Sequence, residues 1–142
     1  MNAINNDRLI LIARLALAVI FIMGGYGKVT GFEGSVKYTS SSIYLAGFPT
    51  ILFQAMVVAA IAIELGGGIL VAVGWQTRWA ALAIALFSVL AALLYHPYWA
   101  IAADAGQRLQ SIMFWKNIAM AGGFLLLYVT GPGALSVEGK KA

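Results

Sequence analysis

Four apolar runs decide what this chain can become, because each is close to the roughly 20 residues a helix needs to cross a bilayer. They occupy residues 9–27, 51–73, 79–95 and 112–130. The third is slightly short, but Arg78 and His96 stand at its ends and can snorkel to the headgroups. Inside lipid every backbone N–H and C=O must find a partner within its own segment, so each run reads as a helix. Composition closes off the soluble alternative. Hydrophobic residues make up 62% of the chain and charged residues 10%, whereas a soluble domain is about a quarter charged. The expectation is an all-α integral membrane protein, a four-transmembrane-helix antiparallel bundle forming a single domain over residues 1–142.

The connections refine that expectation. Gly74-Trp75-Gln76-Thr77 is a tight turn, so the second and third runs form a hairpin. Pro97 stops the third helix and opens a loop to Gln110. The longest loop, Val29 to Pro49, mixes aromatic and polar residues around Ser40-Ser41-Ser42, which suggests a membrane-surface segment with one short helix. Ala16-Leu17-Ala18 resembles a signal-peptide cleavage site. Arg14 interrupts the apolar stretch before it, however, and the run continues through Met23, so a retained helix is expected.

Four spans put both termini on one side. Arg8, Arg14, Arg78, Lys140 and Lys141 fall there, five cations against Lys28, Lys37 and Arg108 opposite. The positive-inside rule then places the termini in the cytoplasm. Aromatic residues crowd the outer end, beyond what a symmetric interfacial belt predicts. The net charge of +4 is scattered, with no basic run of the kind nucleic acid requires. The absence of cysteine excludes disulfides, iron–sulfur clusters and thiol chemistry within the chain. One histidine and five scattered carboxylates give no metal-ligand spacing, so no metal is expected.

Ionisable groups within spans are costly and turn toward protein or water. At a rise of about 1.5 Å per residue, Arg14 and Glu64 lie at similar depth, with Lys116 about 10 Å nearer the outer surface. An Arg14–Glu64 pair is therefore expected. Glu64 could then serve as a proton carrier or ligand anchor, with Arg14 and Lys116 completing a polar relay, or the pair could be a salt bridge holding the bundle in register. A second cluster is expected at the outer interface, where Tyr26, Lys28, His96, Trp99, Trp115, Lys116 and Asn117 could hold a ligand headgroup. Separate snorkelling of its charges toward lipid phosphates is the alternative. The glycine pairs and triplet lack phosphate-loop spacing, and helix packing accounts for them.

Several short motifs recur together. They are Gly24-Gly25-Tyr26-Gly27-Lys28 leading to Gly31-Phe32, then Ala46-Gly47-Phe48-Pro49, then Glu64-Leu65-Gly66-Gly67-Gly68. Gly74, Arg78, His96-Pro97-Tyr98-Trp99, Phe114-Trp115-Lys116-Asn117 and Ala121-Gly122-Gly123 follow. In order and spacing the set resembles the DoxX family of small four-span bacterial and archaeal membrane proteins. That resemblance implies a four-helix bundle in the plasma (inner) membrane. It also implies an association with membrane oxidoreductases that feed electrons to quinone, or with oxidative-stress defence. It carries over no catalytic residue set. Three roles remain open: a redox-associated subunit with a quinone-like ligand and an oxidoreductase partner, a structural or assembly subunit, and a transporter, which would need to oligomerise.

Overall fold

The computed structural model describes residues 3–103 and 105–139, so Asp104, Lys140 and Lys141 lie outside the described residues. Helix α1 (Ala3–Thr30) leads into a short helix α2 (Phe32–Ser40) and a single 3-10 turn at Ile43–Leu45. Helix α3 (Thr50–Val73) returns, turns at Gly74–Gln76 into α4 (Thr77–Tyr95), and α5 (Ala105–Thr130) closes the bundle. Among the described residues, α1, α3, α4 and α5 are each long and apolar enough to cross a membrane. α5 begins seven residues ahead of its apolar run, because polar Gln107, Arg108 and Gln110 extend the helix past the hydrocarbon. The outer loop is shorter for that reason.

Packing follows membrane rather than aqueous logic. Leu126, Val129 and Met23 point outward, since lipid is as good a solvent for them as a protein core. Inside, small residues let the helices approach. Ala81, Ala85, Ser88 and Ala92 line the buried face of α4 where it meets α5. α1 and α5 meet through Phe21 and Phe124, edge to face with ring centroids 5.2 Å apart.

α3 is not a plain helix. Ala62–Gly66 forms a π-turn, one widened turn between α-helical Thr50–Ile61 and Gly67–Val73. The run Gly66-Gly67-Gly68 weakens α-helical preference there, at about 1 kcal/mol per glycine relative to alanine. Gly25 of α1 packs directly on this turn: a Cβ at Gly25 would lie 2.5 Å from the Leu65 backbone nitrogen.

At the end where α1 begins and α5 finishes, residues 131–139 fold back as a strap. Val137 and Glu138 donate backbone N–H bonds to the Val73 and Gly74 carbonyls. Arg14, 2% exposed, donates to the carbonyl oxygens of Pro132 at 2.7 Å and Leu135 at 2.9 Å. Gly74 closes the hairpin at φ +75°, the left-handed region that favours glycine, and its open α-carbon also leaves room for the Arg14 guanidinium.

Candidate functional site

The expected Arg14–Glu64 pair does not form. Glu64 is buried and faces the bundle interior, but its Oε2 meets Lys28 Nζ at 2.5 Å, the one ion pair among the described residues. The reason lies in side-chain direction. Helical side chains lean toward the N-terminus of their own helix. Arg14 on α1 therefore leans toward the strap, while Lys28, further along the same helix, leans back toward mid-bundle. Glu64 sits on the antiparallel α3 and leans toward the outer end, into the reach of Lys28. Lys116 on α5 leans outward too, and its Nζ rests 3.2 Å from Met113 Sδ.

The ion pair opens on a cavity of about 490 Å³ in the outer half of the bundle. Four expected site residues line it: Lys28, His96, Lys116 and Asn117. Three do not. Tyr26 is 63% exposed on another face of α1. Trp99 and Trp115, also half-exposed, join Tyr98 and Phe114 in a chain of edge-to-face contacts with centroids 5.2–5.6 Å apart. Successive helical residues are about 100° apart, so Trp115 and Lys116 cannot address the same point.

Other lining residues went unanticipated. Tyr38 and Thr39 of α2 and Tyr95 of α4 close the outer end, where the two tyrosines stack with centroids 5.4 Å apart and planes 28° apart. Burial, and secondarily the adjacent Tyr95 phenol, pushes the Tyr38 hydroxyl above its ordinary pKa, so it remains a neutral donor. Ser42 pins this segment to α4 by donating to the Leu94 carbonyl at 2.7 Å. A signal for this wall was present in the sequence. Gly24, Gly27, Gly31 and Gly34 recur at spacings of three and four, and all four line the cavity. A Cβ at Gly27 or Gly34 would meet nothing within 4 Å, so these positions leave space rather than tighten packing.

Chemically the site pairs a buried carboxylate and its partly exposed lysine with largely apolar walls. Lys28 is the sole donor on Glu64 Oε2 among the described residues, so that oxygen has no further hydrogen bond. Under-satisfied buried oxygens of this kind call for a partner, and π-turns recur at functional sites. His96 Nδ1 is held 2.6 Å from Gln110 Oε1, which fixes its ring at the rim. Among the described residues no three His, Asp or Glu side chains come together as a metal would require.

α1 and α5 both contribute to the wall of the cavity. They touch at Phe21–Phe124 and where Leu17 packs on Gly123, nearer the strap. Beyond that contact Gly24 and Lys28 of α1 and Lys116 and Asn117 of α5 line the cavity. Exposed Ile20 and Lys116 stand on its rim.

Comparison with known proteins now places the chain. A family model described as DoxX matches residues 9–97. Inner membrane protein YphA of Escherichia coli (strain K12) is 40% identical over 131 residues, which covers 92% of this chain and 88% of that protein. Inner membrane protein YqjF of the same organism is 38% identical over 129 residues, covering 91% and 88%. No solved structure matches this chain.

Proposed function

Because the chain belongs to the DoxX family, we propose that it is an inner-membrane subunit that holds a quinone-like molecule in the cavity between α1 and α5 and works beside a membrane oxidoreductase. One observation carries this reading: the Lys28–Glu64 pair, its carboxylate carried on the π-turn of α3, opens on a largely apolar cavity large enough for a small aromatic headgroup. Asn117 and Lys116 supply donors for a ring carbonyl, and the rim at exposed, apolar Ile20 gives an apolar tail a path to lipid. The chain contributes binding and orientation. Electrons come from the partner, because no side chain here is a redox centre.

The test is equilibrium binding of a short-chain benzoquinone to purified protein in lipid nanodiscs. Lys116→Met and Asn117→Leu are each expected to weaken binding about tenfold, the equivalent of one lost hydrogen bond. Tyr26→Ala and Trp115→Ala, which lie outside the cavity, should leave affinity unchanged. Full affinity in both cavity variants overturns this placement of the ligand. A wild-type protein that binds no quinone is instead a structural or assembly subunit.

We propose that the end carrying the termini faces the cytoplasm, from the five-to-three excess of cations that the sequence places there, Arg8, Arg14, Arg78, Lys140 and Lys141 against Lys28, Lys37 and Arg108. An impermeant thiol reagent on intact cells should label Ser41→Cys and spare Asn6→Cys. The opposite pattern inverts the topology.

A further inference from the structure

A second pocket, of about 220 Å³, lies at the outer end of the bundle, lined by Ser41, Ser42, Pro97 and Gln110. Tyr38 and Tyr95 line this pocket as well as the membrane cavity, so their stacked rings stand between the two. A second contact closes the same wall. His96 belongs to the cavity, Gln110 to the outer pocket, and His96 Nδ1 lies 2.6 Å from Gln110 Oε1. Only side-chain contacts from α2, α4 and α5 hold the two chambers apart at these points.

We propose that the Tyr38–Tyr95 stack is a gate through which water and small uncharged polar solutes pass from the outer pocket to the Lys28–Glu64 pair. The lining sets the solute class. It offers hydroxyls, an amide and two phenols, with no ionisable side chain besides the tyrosines. A permanent ion would therefore find no counter-charge on the way in. The two tyrosines differ in freedom. Tyr95 ends a membrane-spanning helix, whereas Tyr38 is 53% exposed on nine-residue α2 and can swing outward without displacing a packed core. The ordered wall on either side gives the gate its frame, through Ser42 on the Leu94 carbonyl and Trp99 Nε1 donating to the Tyr44 hydroxyl at 3.2 Å. The cavity then has two entrances of opposite character: the apolar rim at exposed Ile20 and a polar route from the outer surface. This holds whether or not the apolar ligand is a quinone.

The cysteine-free background makes the test direct. Ala91 lines the membrane cavity, and Ala91→Cys in nanodisc-embedded protein reports what reaches it. Neutral, water-soluble iodoacetamide probes the polar route, and N-phenylmaleimide the lipid route. Adding Tyr38→Ala should raise the iodoacetamide rate about tenfold, the factor expected when one aromatic pair no longer blocks passage. Tyr38→Phe, which keeps the ring, should keep the slow rate, and N-phenylmaleimide should react equally in all three proteins. An unchanged iodoacetamide rate in Tyr38→Ala overturns the gate. So does an equal rise with both reagents, which means general loosening. Ser35→Cys, on the α2 wall of the same cavity, repeats the measurement should Ala91→Cys disturb packing.

Discussion

Gly25→Ala is expected to unfold the bundle or lower its stability by about 3 kcal/mol, the upper end for overpacking. The added Cβ would stand 2.5 Å from the Leu65 nitrogen, 2.7 Å from its Cβ and 2.9 Å from its Cα. Two of those atoms are backbone, so no rotamer change relieves the clash, and α1 must separate from the π-turn. The same displacement carries Lys28 away from Glu64. Gly68 guards the next level of this crossing, where a Cβ would meet Ile22 Cγ1 at 2.9 Å. Gly122 provides the control: it faces open space, and Gly122→Ala should stabilise its helix by up to about 1 kcal/mol. Unfolding in mixed micelles, followed by circular dichroism, measures both. A Gly25→Ala protein as stable as wild type would mean that the close contact between α1 and the π-turn is not required.

Breaking the ion pair from its two sides should give unequal results. Lys28→Met strands a carboxylate whose side chain is only 10% exposed and whose Oε2 has no other donor, at a cost of about 3 kcal/mol. Glu64→Gln should cost about 1 kcal/mol, because the Lys28 side chain is 30% exposed near the outer interface and can snorkel toward the lipid headgroups. The double variant Lys28→Met/Glu64→Met should recover most of the loss, as apolar replacements of buried pairs commonly do. It would also erase the charge in the cavity, so recovered stability without ligand binding would separate the structural role of the pair from its functional one. Equal losses from the two single variants would contradict the buried position of Glu64.

Four of the residues that line the cavity were legible in the sequence. Lys28, His96, Lys116 and Asn117 stand at the outer ends of three spans, and antiparallel packing brings such ends together. Tyr26 and Trp115 fall outside the cavity for a rotational reason, since near neighbours of lining residues point elsewhere on a helix, and Trp99 because Pro97 ends α4 and places it in a separate turn, Tyr98–Ala100. The Tyr38 wall was obscured because a nine-residue helix of low hydropathy between two spans looks like any interfacial loop. Only its docking onto α4 through Ser42 and Tyr95 makes it part of a cavity.

Sequence alone determined that four helices cross a membrane in alternating directions, because a bilayer leaves a long apolar segment no other way to satisfy its backbone. It also determined that Glu64 turns inward, since lipid cannot solvate a carboxylate. Which cation meets that carboxylate was decided by tertiary structure. Depth along a helix axis is read by counting residues, but a side chain leans toward the N-terminus of its helix, and in antiparallel neighbours those leans oppose each other. That tilt delivers Lys28 to Glu64 and sends Arg14 to the carbonyls of a strap more than a hundred residues away in sequence. The π-turn belongs to the same class: three glycines permit it, and the approach of α1 at Gly25 accompanies it.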